Sequence, residues 1–383
     1  MRRVHSRRLV DWAFDQALPF WATHGVDRRH GGFVEALELG GAPLDPGFKR
    51  VRAMARQVYV FSHATLLGWR PGRPIAEEGF DYLIKRAWRR DQGGWARRLN
   101  TQGDVLDATP DLYDTAFCLF ALSWYFKASQ DVAARDVMRS TARLVPTVFA
   151  HPTGEGFIHW VGATCWRQQN PHMHLLEACL AAHSADPDGP YADLGRPLVD
   201  LFKRRFFDQT TGTLGEFFTA DWARAPGDDG RLVEPGHHFE WAWILSQAEA
   251  QFGSSAHQEA TALIAFAETH GVDPDTGATF DAVWSDGTPK SRASRTWPNT
   301  ERLKAAIATD VYGEGVNRAA IEQTAECLMD RYFAPAPKGA WIDHFNDAGE
   351  PIATTIPAST FYHVFLAIAE LIRIGGPDLA PEL

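Results

Sequence analysis

The feature that most constrains this chain is a repeat. A glycine followed within three residues by an aromatic recurs along the whole length, at Phe33, Trp95, Phe157, Phe217, Phe280 and Trp341, with successive spacings of 62, 62, 60, 63 and 61 residues. Unrelated loops rarely keep such a period, so the spacing defines six equivalent units. Each unit holds two stretches of helical period, bounded by Gly, Pro and Asp and separated by segments too polar and glycine-rich for helix. First members are expected over residues 5–24, 72–90, 131–150, 191–207, 255–270 and 314–333. Second members are expected over 48–68, 111–128, 171–184, 237–252, 298–309 and 357–374.

The two sets differ in character. Between Asn317 and Phe333, Ile321, Ala325, Leu328, Met329 and Tyr332 form one apolar stripe while Arg318, Glu322 and Glu326 face away, the pattern of a helix with one wet side. The run from Phe361 to Ala369 is apolar nearly all round and suits a helix covered on both sides. Six hairpins of outer and inner helices predict an all-α fold, an (α/α)6 barrel formed by residues 1–383 as a single catalytic domain, with the inner ring around a pocket and the loops as its roof. An open solenoid is the alternative; six similar units without an evident polar cap at either end favour closure.

Composition removes several classes of function. The net charge of −10, with no block of Lys and Arg, argues against nucleic acid as partner. Cys118, Cys165, Cys179 and Cys327 lie far apart with no Cys-x-x-Cys pair, and read as reduced core thiols. The basic start, residues 1–8, runs into Asp11 and Asp15 rather than an apolar segment, so no secretory signal is read. No apolar run approaches the roughly 20 residues of a membrane span, which makes the cytoplasm the expected location. Neither a phosphate-binding Gly-rich loop nor a dinucleotide fingerprint is present, so no nucleotide cofactor is expected.

The unusual polar residues open the inner helices, where six chains converge. They are Asp111-Leu112-Tyr113-Asp114, Asn170-Pro171-His172-Met173-His174, Pro235-Gly236-His237-His238-Phe239-Glu240 and Trp297-Pro298-Asn299-Thr300-Glu301. His237 and Glu240, three apart, share a helix face, and a carboxylate there would orient the imidazole and favour its charged form. An ordinary surface pair would look the same, but the apolar run Trp241 to Leu245 makes burying an idle pair costly. His174 follows Asn170 by four residues and precedes Glu177 by three; Asn170 is also a natural helix cap, with Pro171 in the first turn. His363 lies in the most apolar helix, where a lone histidine is commonly a core residue, yet its place in the sixth inner helix matches the others. Arg56, amid Ala55, Val58, Tyr59 and Phe61, has no local acid. A buried guanidinium wants an anion, either a substrate or a salt bridge across the barrel to Glu177 or Glu301. The pairs His172/His174 and His237/His238 diverge on a helix, so no metal is expected. Trp95, Trp160, Trp166, Trp284, Trp297 and Trp341 fall in loops expected over the mouth, though most tryptophans should be core.

Five segments in order, Arg56 to Ser62, Asn170 to Glu177, Pro235 to Trp241, Trp297 to Glu301 and Ile356 to His363, resemble the N-acylglucosamine 2-epimerase superfamily, which includes cellobiose 2-epimerases, mannose isomerases and sulfoquinovose isomerases. The resemblance covers essentially the whole chain. The Pro-Gly-His-x-Phe-Glu-Trp and Pro-Ala-Ser-Thr-x-Tyr-His segments look most like mannose isomerases and their sulfoquinovose relatives. One departure is Asn299, where the family pattern has glutamine, a change expected to bear on sugar selectivity. The resemblance implies a metal-free and cofactor-free aldose–ketose isomerase acting on a free monosaccharide, D-mannose to D-fructose, by histidine-mediated proton transfer through a cis-enediol. By resemblance His174 would assist ring opening, His363 would move the proton between C2 and C1, and His237 would shuttle protons at the oxygens. Arg56 would stabilise the enediolate, Glu240 would hold His237, and Tyr113, Asn170, Glu177, Trp297 and Glu301 would position the sugar. A small sugar is thus the expected partner, with no nucleic acid, no membrane and at most a second copy of the chain. A sugar 2-epimerase is the sibling alternative. From other classes, a glycoside hydrolase on the same barrel would use Asp111, Asp114 or Glu240 as acid and base, and a binding protein would need none of the histidines.

Overall fold

The computed structural model describes residues 4–382. Among them, twelve main helices alternate between an outer and an inner ring. Outer α1 covers residues 4–24 and is followed by inner α2 (Val51–Leu66), outer α3 (Gly72–Arg86), inner α4 (Leu112–Ser129), outer α5 (Val132–Val148) and inner α6 (Asn170–Ala185). Outer α7 (Tyr191–Leu201), inner α8 (Pro235–Phe252), outer α9 (His257–His270), inner α10 (Thr296–Ala308), outer α11 (Arg318–Cys327) and inner α12 (Thr360–Gly375) complete the series. In α1, and directly after α7 and α11, the helix widens into a π turn at Ala13–Ala17, Phe202–Phe206 and Leu328–Phe333, the same place in three repeats. Each turn buries aromatics, namely Phe14, then Phe202 and Phe206, then Tyr332 and Phe333.

Local chemistry sets the ends. Asp111 caps α4 by accepting the backbone N–H of Tyr113 at 2.9 Å and of Asp114 at 3.1 Å, and Asn317 caps α11 through Ala320. Pro occupies the first turn of α6 and α8, where its missing N–H costs nothing. The expected ranges overshoot where chain ends are drawn into short strands. Residues 48–50 pair with Arg98–Asn100, Trp88–Arg89 with Gly94–Trp95, and Thr355–Pro357 with Ala36–Glu38.

That last pairing answers the question of closure. Leu37 lies opposite Ile356, stapling the first connection to the last, and α12 packs directly against α2. On the outside α1 packs on α11, where the buried Glu322 carboxylate accepts the backbone N–H of His5 at 3.0 Å and of Ser6 at 3.3 Å, as well as the Ser6 hydroxyl. The ring is closed, and the predicted (α/α)6 barrel stands over the open solenoid.

Connections from inner to outer helices are short, whereas those from outer to inner helices are long and carry the strands. Each of the first five long connections begins with one antiparallel bridge: Val26 to Phe33, Trp88 to Trp95, Ala150 to Phe157, Phe207 to Leu214, and Val272 to Thr279. This turn is the physical origin of the repeat. In the fifth unit Asp273 accepts the N–H groups of Asp275 and Thr276, and Gly277 takes φ +70°, a left-handed conformation that glycine adopts without steric cost.

Three expectations need correction. Glu322, expected on the wet side of its helix with Arg318 and Glu326, is buried at the seam. Trp95 and Trp341 are core residues away from the mouth: the Trp95 indole donates to Thr141 on α5 at 3.1 Å, and Trp341 stacks on Trp21 with ring centres 5.5 Å apart. Cys165 is exposed in a roof loop, whereas Cys118, Cys179 and Cys327 are buried as expected. No helix among the described residues is long and apolar enough to cross a membrane.

Replacing Glu322 by Ala strands three donors at the seam and should cost about 2–3 kcal/mol in denaturant unfolding. A variant as stable as the wild type would show that the seam is held elsewhere.

Candidate active site

The long loops and the first turns of the inner helices enclose a cavity of about 350 Å³ at one end of the barrel, with Arg56, Tyr113, Asn170 and Trp160 in its lining. Two of these residues join it to the histidines. The Tyr113 ring centre lies 4.9 Å from that of His174, and Asn170 Nδ2 is 3.4 Å from His237 Nε2. None of the three histidines is in the lining of this cavity itself, and a larger groove of about 650 Å³, beneath the loop carrying Cys165 and Trp166, has neither them nor Tyr113 and Asn170.

The three expected histidines converge although they come from α6, α8 and α12. The rings of His174 and His363 are 6.5 Å apart, and Trp297 packs beside both His237, at 5.2 Å, and His363, at 5.5 Å. Every one of them gives Nδ1 to a buried carboxylate: His174 to Glu177 at 3.1 Å, His237 to Glu216 at 3.0 Å and His363 to Glu301 at 2.7 Å. A carboxylate on Nδ1 selects the tautomer that is protonated there and leaves Nε2 unprotonated in the neutral ring.

Behind these pairs lies a further layer. Tyr362 donates its hydroxyl to Glu177, Gln169 donates to Glu216 at 2.9 Å, and Lys304 Nζ sits 2.6 Å from Glu301 with neither side chain exposed. Gln169 is itself fixed by the Trp241 indole. These residues are invisible to ligands but determine which way each imidazole points.

The charges then divide. Burial works against a cation at His237, yet the carboxylates of Glu216, Glu234 and Glu240 push it up to about 10. Burial pushes His174 down to about 4, with Glu177 opposing. His363 is held well below the ordinary histidine value by burial, with Arg56 and Lys304 adding to the effect. Near neutrality the site therefore holds one imidazolium and two neutral imidazoles. Burial, reinforced by Glu301 and Glu177, raises Glu240 well above the carboxylate range, and burial lifts Glu301 to about 7 against the pull of Lys304.

Several sequence expectations change in detail. Glu240 does not hold His237; it lies between His174 and His363, 3.9 Å from Nδ1 of each, and Glu216 from the preceding loop takes the His237 position instead. Glu177 and Glu301 stand behind the imidazoles rather than lining the cavity. Among the described residues no carboxylate pairs with Arg56. Its guanidinium donates to the Tyr113 hydroxyl at 2.7 Å and the Ser359 carbonyl at 3.1 Å, and lies over the Phe117 ring. Asn170 is not the cap of α6; Gln169 occupies that position. Asn299 is fully buried, accepts the Thr279 N–H at 2.8 Å and donates to the Arg295 carbonyl, so it braces a loop and does not face a sugar. His172 and His238 do the same for Phe157 and Leu214, and both are pushed down to about 3 by burial. Asp111 and Asp114 are taken up by capping and by Arg97 and Arg52, so neither is a free acid or base for a hydrolase. Three groups at this site have metal-like spacing, His174/Glu177/Glu240, Glu240/Glu301/His363 and Glu216/Glu234/His237; the fourth among the described residues, His5/Glu326/Asp330, lies elsewhere. Each of the three at the site would have to give up an Nδ1–carboxylate hydrogen bond to bind an ion.

Glu216 and Lys304 escaped the sequence reading. A signal for Glu216 existed: acids lie within two residues of the repeated aromatic at Glu35, Glu216 and Asp281, and these accept the backbone N–H of Arg50, Glu234 and Arg295, the residues preceding α2, α8 and α10. Because His237 is raised from 6.5 to about 10 on folding, stabilisation by its charge is complete below pH 6.5 and is lost as pH rises through 10. The stability advantage of wild type over Glu216→Gln should shrink between those limits in denaturant unfolding. An advantage that grows with pH would contradict the assignment.

Comparison with known proteins agrees with this construction. The family profile described as N-acylglucosamine 2-epimerase (GlcNAc 2-epimerase) matches residues 31–367. The chain is 36% identical over 376 residues to a Rhizobium meliloti protein named mannose-6-phosphate isomerase, covering 96% of this chain and 97% of that one. It is 27% identical over 404 residues to the D-mannose isomerase of Thermobifida fusca, covering 99% and 95%. A crystal structure of a D-mannose isomerase superposes with a TM-score of 0.84 at 21% identity, covering 96% of this chain and 98% of that chain, which shows a shared fold. The chain belongs to the N-acylglucosamine 2-epimerase family of sugar isomerases and epimerases.

Proposed function

We propose that the protein is an aldose–ketose isomerase of a monosaccharide, taking D-mannose to D-fructose through a cis-enediol without a metal. The observation that carries this reading is the convergence of His174, His237 and His363 within one sugar's reach, each anchored through Nδ1. Relatives named for mannose and for mannose 6-phosphate support the mannose configuration.

His174 moves a proton between the hemiacetal hydroxyl and the ring oxygen, opening the sugar. Neutral His363 then takes the C2 proton on Nε2; the C–H electrons form the C1–C2 double bond and the carbonyl electrons pass to O1. Arg56 and the His237 imidazolium stabilise that oxyanion, and His237 protonates it. The now neutral His237 removes the O2 proton, C2 becomes the carbonyl, and C1 recovers the proton from His363. Trp297 packs against the sugar's C–H face, while Tyr113 and Asn170 hold its hydroxyls. Glu177, Glu216 and Glu301 keep the three imidazoles aligned.

A second reading draws on one specific feature. His174 and His363, both neutral and 6.5 Å apart, could address C2 from opposite faces, as a 2-epimerase requires.

Mannose incubated in deuterium oxide should yield fructose, with turnover unchanged by chelator. Glucose as the major product favours the epimerase, and loss of turnover with chelator overturns the metal-free route. His363→Asn should lower kcat by about 10²–10⁴-fold, and retention of full activity would remove His363 from the chemistry.

A further inference from the structure

Four arginines, Arg50, Arg52, Arg56 and Arg97, line the 350 Å³ cavity, and Asp111 is the one acid in its lining. Proton transfer on a neutral hexose accounts for Arg56 alone. The other three stand nearer solvent, with side chains 32%, 26% and 28% exposed.

They are held in a particular way. The Nε of Arg50 meets Glu35 at 2.6 Å, Nη1 of Arg52 meets Asp114 at 3.1 Å, and Nε of Arg97 lies 3.4 Å from Asp111 with its guanidinium over Trp160. The carboxylate fixes one side of the fork in Arg50 and Arg52, while Arg97 also has Nη1 at 4.0 Å from Asp107; among the described residues no acceptor bonds Nη1 or Nη2 of Arg50 or Nη2 of Arg52. A guanidinium braced on one edge has lost its rotamer freedom in advance and presents the other edge in a geometry that matches an oxyanion. The same cations are contiguous with the reacting centre: Arg52 lies over the Tyr113 ring at 5.2 Å, and that tyrosine's hydroxyl accepts from Arg56. The carboxylates offset the charge of Arg50, Arg52 and Arg97, so the pull on an anion comes from Arg56, which has no carboxylate partner among the described residues, and from the unfilled Nη positions of Arg50 and Arg52.

Resting on the isomerase reading above, we propose that this mouth binds a phosphate monoester carried on the sugar at the end remote from C1 and C2, making a hexose phosphate the preferred substrate. A phosphate supplies nearly two charges and several acceptor oxygens, enough for more than one fork, which a neutral hydroxymethyl group does not. Arg50, Arg52 and Arg97 are specificity-determining in this account, and Arg56 serves the reacting end.

The test compares kcat/KM for mannose 6-phosphate with that for mannose in wild type, Arg97→Gln, Arg50→Gln and Arg97→Lys, with inorganic phosphate as inhibitor of the wild type. The phosphorylated sugar should be favoured at least tenfold. Either glutamine variant should cut that ratio about tenfold, the lysine variant less, and inorganic phosphate should compete with the sugar phosphate. Isomerisation of mannose with no gain from phosphate overturns the anion site and leaves the isomerase reading standing. Turnover of neither sugar overturns that reading and the proposal with it. Should the variants fold poorly, a wild-type ratio at or below one, or lack of competition by inorganic phosphate, is sufficient to refute the site.

Discussion

An imidazole in a dry pocket has two nitrogens and one proton to place, and everything in this site depends on a buried carboxylate settling where it goes. Glu177, Glu216 and Glu301 each take an Nδ1–H, which leaves Nε2 of three different histidines without that proton. The pairs are alike in geometry but not in charge. His237 sees three carboxylates and stays cationic despite burial, whereas burial lowers His174 and His363, with Arg56 adding to it at both and Lys304 at His363. One site thus offers acid and bases at the same pH, which an isomerisation needs because one oxygen gains a proton as a carbon loses one.

Such an arrangement requires a closed ring. His174 and Glu177 share α6 and Glu216 comes from the loop before α8, but the His363–Glu301 dyad joins α12 to α10, and the meeting of the three imidazoles depends on the register of their hairpins. The strand pairing of residues 36–38 with 355–357 and the Glu322 clasp join the two ends of the chain, and α12 with His363 comes to rest beside α2 with Arg56. Burial also makes the cluster costly: Glu177, Glu240, Glu301 and Lys304 form a solvent-free group whose members are tolerable only together.

Much of this was legible in the sequence because it follows from periodicity. The spacing of Phe33 to Trp341 gave six units, and helical period with glycine, proline and aspartate punctuation located the inner helices to within a few residues. The three histidines could be chosen because they head apolar helices in equivalent units. What sequence could not resolve was partner choice between helices. The i,i+3 spacing of His237 and Glu240 suggested a pair, but α8 turns Glu240 toward His174 and His363, and a loop residue, Glu216, fills the vacant role. Lys304 sits in an apolar stretch of α10 and shows its purpose only when Glu301 is seen beside it. Asn299 misled for the same reason: its departure from the family pattern suggested selectivity, and its actual task is to hold the Thr279 amide.

Imidazole nitrogen-15 spectra of the whole protein at pH 7 test the central claim most directly, since they report the protonation of each ring nitrogen. The account predicts His237 protonated on both nitrogens, with His174 and His363 neutral, protonated on Nδ1 and bare on Nε2. A neutral His237, or a proton on Nε2 of His363, would contradict it.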